Sequence, residues 1–344
     1  MRGIREVEWA EADASAVLLS KPRVKLQTVR DLIGEKTVKL LTFASAIIIV
    51  FIFLFIIKTA GGVLLSNGYH FVTRSGFDQQ VVRAYSATAE NPSWYFGVWG
   101  LLIGTLGTTL GALLLALPMG IGTAIVISEL APPGIRYLLQ MVVRLLASIP
   151  SVIYGLIGLM VVVPFIQSAL ISSAAQIEYI NRFQLSGHSM LAGMLVLSIM
   201  IVPIIIALAV DAINAVPVRY KEAALALGLS HWRTIVRVTL PAARSGILAG
   251  VILAVGRAVG EAIALSMVCG GIGNIPKVQD GFVFFLTPVL TLASAIVNKS
   301  ELMSIAPIQS ALFGCGLVLL ITSTVLSLCA RLVELVVKRG EGIV

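Results

Sequence analysis

The chain has 344 residues, 58% of them hydrophobic and only 12% charged, against roughly half apolar and a quarter charged in an ordinary soluble domain. That balance excludes a soluble globular protein; apolar runs long enough for spanning helices of about 20 residues, with no period-2 alternation, exclude a membrane barrel. The formal charge of +8 needs no polyanionic partner, because membrane proteins collect Lys and Arg in cytoplasmic loops, and nucleic-acid binding is set aside.

Residues 1–37 mix both signs of charge and lack the apolar core and cleavage site of a signal peptide, so they are expected to be a cytoplasmic tail. The first transmembrane helix is placed at 38–60, its apolar stretch from Val38 to Ile57 acting as an uncleaved signal anchor. Residues 61–96 are expected to be a periplasmic loop, polar from Gly61 to Asn91, with Trp94, Tyr95 and Trp99 marking a membrane interface. A core of five further spans fills 97–330.

The second span, Gly97 to Ile127, carries Gly100, Gly104, Gly107 and Gly111 at intervals that let helix backbones approach. A short turn at Glu129, Pro132, Pro133, Gly134 and Arg136 leads to the third span, Tyr137 to Gln167. Pro150 lies at its centre among Ser148, Ser151, Gly155 and Gly158, where a kink is expected whose freed carbonyl the neighbouring hydroxyls satisfy. Ser168 to Ser189 is a polar loop, Met190 to Val210 the fourth span, 211–244 a polar segment, and Ser245 to Val268 the fifth span. Cys269 to Ala306 is an external loop with some buried helix, Pro307 to Ala330 the sixth span, and 331–344 a basic cytoplasmic tail. The expected architecture is an all-α polytopic membrane helix bundle with six transmembrane helices. With Lys39 and Arg144 counted at the inner ends of their spans, 18 of the 25 Lys and Arg fall on one side and five on the other, which is expected to put both termini in the cytoplasm of an inner-membrane protein.

The polar segment contains KEAALALGLSHWRTIVRVTLP from Lys221 to Pro241. It reads as a short helix from about Arg219 to Leu227, a turn at Gly228, a second helix through about Val238, and a stop at Pro241. Its apolar side chains and its cations Arg233 and Arg237 suit two roles: docking into a groove of another protein, or lying on the inner leaflet.

In the fifth span, Arg257 lies about 12 residues in, or roughly 18 Å at 1.5 Å per residue, near mid-bilayer. Glu261 follows at i+4, so the two are expected to pair on one face, with Gly256 and Gly260 giving close backbone packing. Charges at that depth mark a pathway or a buried pair that holds helices together, and a guanidinium suits bidentate contact with an oxyanion.

The spacing of Glu222, Ala223 and Ala224, then Gly228, then Leu240 and Pro241, resembles the EAA coupling loop of binding-protein-dependent ABC importer permeases of the MetI-like type I class. ELAPP at Glu129–Pro133, LLASIPSVIYGL at Leu145–Leu156 and GRAVGEAIALSMVCGG at Gly256–Gly271 resemble the PstC family of phosphate permease subunits. Arg144, just before LLASIP, departs from a position that is often acidic in that family. The resemblance implies that Glu222, Ala223, Ala224, Gly228, Leu240 and Pro241 shape a loop docked on an ATPase. It also implies that Arg257 and Glu261 belong to an anion pathway or gate, while Pro150, Ser151, Gly155, Gly256 and Gly260 serve packing or kinking. The implied partners are a second, PstA-like permease subunit, a PstB-like ATP-binding subunit and a periplasmic PstS-like phosphate-binding protein.

Other sites find little support. Cys269, Cys315 and Cys329 are odd in number and unclustered, which fits buried apolar residues rather than disulfides or metal. His70, His188 and His231 are isolated loop or interface residues, and Ser66, Ser148, Ser151 and Ser266 lack a nucleophile's context. No GxxxxGK[ST] occurs, so ATP hydrolysis is left to a partner; neither a cofactor nor enzymatic activity is expected of this chain. The alternatives are a permease for molybdate or sulfate, an ion-coupled secondary transporter in which Arg257 and Glu261 form a relay, and a structural or regulatory membrane partner.

Overall fold

The computed structural model describes residues 3–87, 92–180 and 182–339. Asn91 and the last part of the basic tail, 340–344, lie outside the described residues. The chain divides into two compact units, Met1–Ile56 and Ile57–Val344. Among the described residues the structure is helical, with one isolated β-bridge between Gly270 and Val289. Six helices are long and apolar enough to cross a membrane: Glu35–Asn67, Trp99–Leu130, Ser151–Leu170, Met190–Asn214, His231–Gly260 and Ala306–Leu332.

The first unit is the greater part of α1 (Gly3–Asn67). Its apolar side chains, including Phe43, Phe51 and Leu54, are exposed, as lipid-facing residues of a span are. The segment expected to be a tail is part of this helix from Gly3 onward.

In the second unit, the expected periplasmic loop is a packed cap. After α1 come α2 (His70–Thr73) and α3 (Phe77–Ser86). Phe71, Phe77, Val81 and Phe96 close a core with Leu101, Leu292 and Ile308. The polar residues that make the stretch look like a loop are used internally. Asn67 donates to the Trp94 carbonyl at 2.6 Å and accepts from the Phe96 amide at 3.2 Å. Asp78 accepts from the Gly273 amide at 2.6 Å and lies 3.4 Å from Lys299. Buried polar groups demand such partners, and here the demand fixes the cap to the loop after the fifth span.

The next span, α4 (Trp99–Ile125), continues through a π-turn at Val126–Leu130. Its glycines meet backbone and sulfur directly. A Cβ at Gly104 would lie 2.6 Å from the Leu290 carbonyl oxygen, and one at Gly111 would lie 2.5 Å from the Met194 Sδ. Gly104→Val is therefore expected to destabilise the subunit by about 1–3 kcal/mol, because a backbone carbonyl cannot step aside. Gly122→Ala, built into open space, should leave the subunit as stable or slightly more so. Thermal midpoints in detergent by fluorescence-detected size exclusion separate the two, and equal midpoints would contradict the packing argument.

α5 (Pro133–Ser148) is amphipathic and separate from the following span. That span is built from α6 (Ser151–Ile157), a π-turn at Gly158–Val162 and α7 (Val163–Leu170). The expected single kinked span at 137–167 is thus two helices with an extended break at Ile149 and Pro150, whose ψ values are 130° and 138°. The proline ring disfavours helical geometry at the residue before it, and here that restriction stops the helix.

α8 (Ser173–Tyr179) precedes α9 (Met190–Asn214), which is 67% buried over its apolar window, against 22–39% for the four other spans of this unit. α9 is accordingly the axis of the bundle, packed against α4 and against the helix at Leu240–Gly260. A cluster around Leu197, Met200 and Ile201 fills the middle. A second, around Ile127, Val143, Ile206, Ile213 and Ile247, closes the end opposite the cap.

At that end lie α10 (Val218–Ala226), α11 (His231–Thr234) and a π-turn at Ile235–Thr239, which runs directly into α12 (Leu240–Gly260). α13 (Ile263–Val268), α14 (Val283–Leu286) and α15 (Leu292–Asn298) return to the cap end, and α16 (Ala306–Arg339) completes the bundle.

Candidate coupling helix and charged helix break

α10 ends in a Schellman motif. The Gly228 amide donates to the Leu225 carbonyl at 2.9 Å and the Leu229 amide to the Ala224 carbonyl at 3.1 Å. This closure needs the residue after the cap to be left-handed, and Gly228 has φ +82°. Ser230 then caps α11, its hydroxyl accepting from the Arg233 amide at 3.4 Å. The turn leaves Leu227 83% exposed, Trp232 59% and Leu225 46%, with Glu222 and Ala223 also exposed. Ala224 alone of the EAA residues is buried, at 5% exposure. Placing apolar groups at the tip of a capped turn exposes them to a partner at no cost to the subunit's own core.

Pro241 does not stop the second helix as expected. The π-turn immediately before it absorbs the missing amide and the ring's steric demand, so helical structure is continuous from His231 to Gly260. Leu240 packs against the cluster at this end of the bundle, and Pro241 is half-buried.

Lys221 binds Glu129 of the ELAPP turn at 2.5 Å, with the carboxylate side chain 7% exposed and the ammonium side chain 24%. This pair fastens α10 to the end of the α4 span. Sequence reasoning named both segments but did not join them, since nothing local links residues 92 positions apart.

The fifth-span motif is broken where a continuous helix was expected. α12 ends at Gly260, and Glu261 is extended, with φ −71° and ψ 116°. Glu261 is 8% exposed and its Oε1 accepts from the Ala264 amide at 3.1 Å, capping α13. Arg257 lies exposed in the last turn of α12. Among the described residues no ion pair joins them, which corrects the expected i+4 pair. Each charge instead sits where a helix terminus favours it, the cation at a C-terminus and the carboxylate at an N-terminus. The helix reaching Arg257 starts at His231 and not near Ser245, so its depth cannot be counted from Ser245.

Gly256 and Gly260 have open space where a Cβ would stand, so they do not supply the close packing expected within the subunit. Gly155 does approach its neighbours closely: a Cβ there would lie 2.8 Å from the Met267 Sδ and 2.9 Å from the Ala264 Cα. This contact seats α6 on α13. The carbonyls left free at the end of α5 are met by Ser148, which donates to Leu145 at 2.7 Å, and by Tyr154, which donates to Leu146 at 2.8 Å. Ser151, the other expected donor, stands at the start of α6 and is not among them. Tyr154, which sequence reasoning missed, also lies within electrostatic reach of Arg257. The break at Pro150 and the break at Glu261 thus lie on neighbouring helices, joined through Gly155 and Ala264.

Residues 116–339 match the family described as "Binding-protein-dependent transport system inner membrane component". The chain is 37% identical over 72% of its length to the probable ABC transporter permease protein YqgH of Bacillus subtilis, covering 74% of that protein. It is 34% identical over 72% of its length to phosphate transport system permease protein PstC 1 of Mycobacterium tuberculosis, covering 74% of it. With PstC of Mesorhizobium japonicum the identity is 33%, over 79% of this chain and 83% of that one. A subunit in the crystal structure of a bacterial alginate ABC transporter, solved with its pentasaccharide-bound periplasmic protein, superposes with a TM-score of 0.51 at 17% identity. That match covers 85% of this chain and 92% of the other, and carries the fold alone. With six spanning helices, a matched core and relatives of this similarity, the chain belongs to the binding-protein-dependent transport system inner membrane components, as a membrane permease of the PstC type.

Proposed function

We propose that this chain is the transmembrane permease subunit of an ATP-driven, binding-protein-dependent ABC importer that moves inorganic phosphate into the cytoplasm. The observation that carries the mechanism is the capped, exposed turn of α10 joined to an unbroken helix that ends beside Arg257. From His231 to Arg257 that helix is roughly 40 Å long at 1.5 Å per residue. Movement of a docked turn would reach the charged break with no flexible joint between.

In this reading Glu222, Ala223, Gly228 and the apolar tip at Leu225 and Leu227 dock on a PstB-like ATPase, while Leu240 and Pro241 pass its motion into the fifth span. Glu261 holds the start of α13, and Arg257 faces the anion or its gate across the open surface beside Gly256 and Gly260. That open surface suits contact with a second, PstA-like permease subunit, and a PstS-like binding protein delivers substrate at the cap end. The asymmetry of Lys and Arg along the sequence supports cytoplasmic termini in the inner membrane.

Uptake of labelled phosphate into vesicles containing the full set of subunits tests the reading. Accumulation is expected with ATP and the binding protein and to be absent without either. Uptake independent of ATP would refute it in favour of an ion-coupled transporter. Uptake of molybdate or sulfate in preference to phosphate would support the alternative oxyanion.

A further inference from the structure

At the end of α13 remote from Glu261, Gln184, Ser186, His188, Ser266, Gly270 and Asn298 meet around a cavity of about 470 Å³ that opens to one side. These residues come from three separated segments: the loop entering α9, the end of α13 with the turn after it, and the end of α15. The cavity lies at the cap end of the bundle, because α9 runs from it toward α10. No Asp, Glu, Lys or Arg lines it. The nearest charged side chains in the sequence are committed elsewhere, Lys299 to Asp78 and Arg182 to Asp280.

Three of its side chains, Gln184, Asn298 and His188, can present N–H donors, while the Ser266 hydroxyl is committed to the Ile263 carbonyl at 2.8 Å. Among the described residues the carboxamides of Gln184 and Asn298 make no hydrogen bond, and both residues are exposed, so their N–H groups can turn toward a ligand. Ser186 Oγ lies 3.2 Å from His188 Nδ1. With the hydroxyl donating to Nδ1, the neutral ring carries its proton on Nε2 and adds a further donor. Consecutive left-handed backbone at Gly270 (φ +96°) and Gly271 (φ +68°) turns the chain around the cavity wall, and a Cβ at Gly270 would strike Pro288 at 2.7 Å.

We infer that this cavity is a transit site for a small tetrahedral oxyanion at the outer mouth of the permease. The inference rests on the proposed function for its ligand class, while the site is drawn from the cavity itself. Neutral donors suit such a site: they replace part of the anion's hydration without the deep well that a cationic cluster would create, and conduction requires that binding be weak enough to release. α13, six residues and about 9 Å long, then separates the cavity from the helix break beside Arg257.

The test uses the full chain in right-side-out membrane vesicles. Ile272, an apolar lining residue 46% exposed, is replaced as Ile272→Cys together with Cys329→Ser; Cys269 and Cys315 are buried. The rate of modification by a membrane-impermeant thiosulfonate is read in inorganic phosphate and in chloride of equal ionic strength. For a dissociation constant on the order of 10 mM, about 50 mM phosphate should slow the reaction about sixfold. The Gln184→Ala/Asn298→Ala pair should remove that protection.

Equal rates in phosphate and chloride overturn the site, as does full protection in the double variant. Phosphorus-31 line broadening of inorganic phosphate, compared between the unsubstituted chain and Gln184→Ala/Asn298→Ala, repeats the measurement without a reporter cysteine. ATP-driven uptake in vesicles that show no protection discards the cavity and keeps the proposed function. Protection without ATP-driven uptake does the reverse.

Discussion

Gly228→Val should cut ATP-driven transport by at least about tenfold, while Gly228→Asn should retain most of it. The difference follows from φ +82° at this position. Asn enters the left-handed region at small cost, whereas a β-branched residue there costs on the order of 1–3 kcal/mol and would open the Schellman closure instead. Nothing stands within 4 Å of a Cβ at Gly228, so the effect comes from backbone conformation and not from crowding.

The consequence is a misdirected tip, with Leu225 and Leu227 no longer held toward the proposed ATPase. Glu222→Arg should act at the same interface through charge, again by at least about tenfold, since like charge or a lost hydrogen bond at a docked surface costs several kcal/mol. Glu222 is exposed in the subunit, so its replacement should leave insertion and thermal midpoint unchanged. Co-purification of the ATPase and transport-coupled ATP hydrolysis are the readouts. Normal coupling in Glu222→Arg, or identical behaviour of Gly228→Val and Gly228→Asn, removes the docking role.

Arg257→Gln should abolish phosphate uptake to within about a hundredth of the unsubstituted complex, with assembly intact. Arg257 is exposed and takes part in no ion pair with Glu261, so no buried partner charge is stranded when it is removed; the stability change expected of a cation at a helix C-terminus is about 0.3–1 kcal/mol. A charged hydrogen-bond donor acting on a dianion in a low-dielectric passage is worth several kcal/mol, which is the larger effect. Arg257→Lys should recover part of the rate, because the charge remains while the bidentate fork is lost.

Glu261 provides the contrast. It is buried and caps α13, so Glu261→Ala should lower the thermal midpoint by removing a cap worth about 1 kcal/mol. Uptake, subunit co-purification and melting of both variants separate the roles. Failure of Arg257→Gln to assemble would make Arg257 a structural residue.

Much of the fold is legible in the sequence because lipid imposes a strict rule: a span must be long, apolar and internally hydrogen-bonded. The spans around Met190 and Ala306 follow from length and hydropathy, and Gly104 and Gly111 reveal close approach through spacing alone. The interruptions are less legible. Pro150 reads as a kink and is a full break, while Pro241 reads as a stop and is carried by a π-turn. The same residue has opposite outcomes because the packing of the surrounding helices decides whether the lost backbone bond is replaced. The cap shows a related limit. Asn67, Asp78 and Gln80, which accepts from the Gly97 amide at 2.7 Å, look like solvated loop residues until the folded chain brings their partners to them.

By itself the sequence determined a helical membrane protein, its six long spans, the turn at Gly228 and the family to which its motifs point, all of them matters of composition or local spacing. Tertiary structure decided that Glu261 caps a new helix and does not pair with Arg257, that Lys221 ties α10 to Glu129, that Gly256 and Gly260 face open space, and that distant segments bring polar side chains around one open cavity. These depend on where remote residues come to lie. A periodicity extrapolated along one helix gives no signal for its end, because a buried carboxylate takes whichever partner the finished packing places within reach.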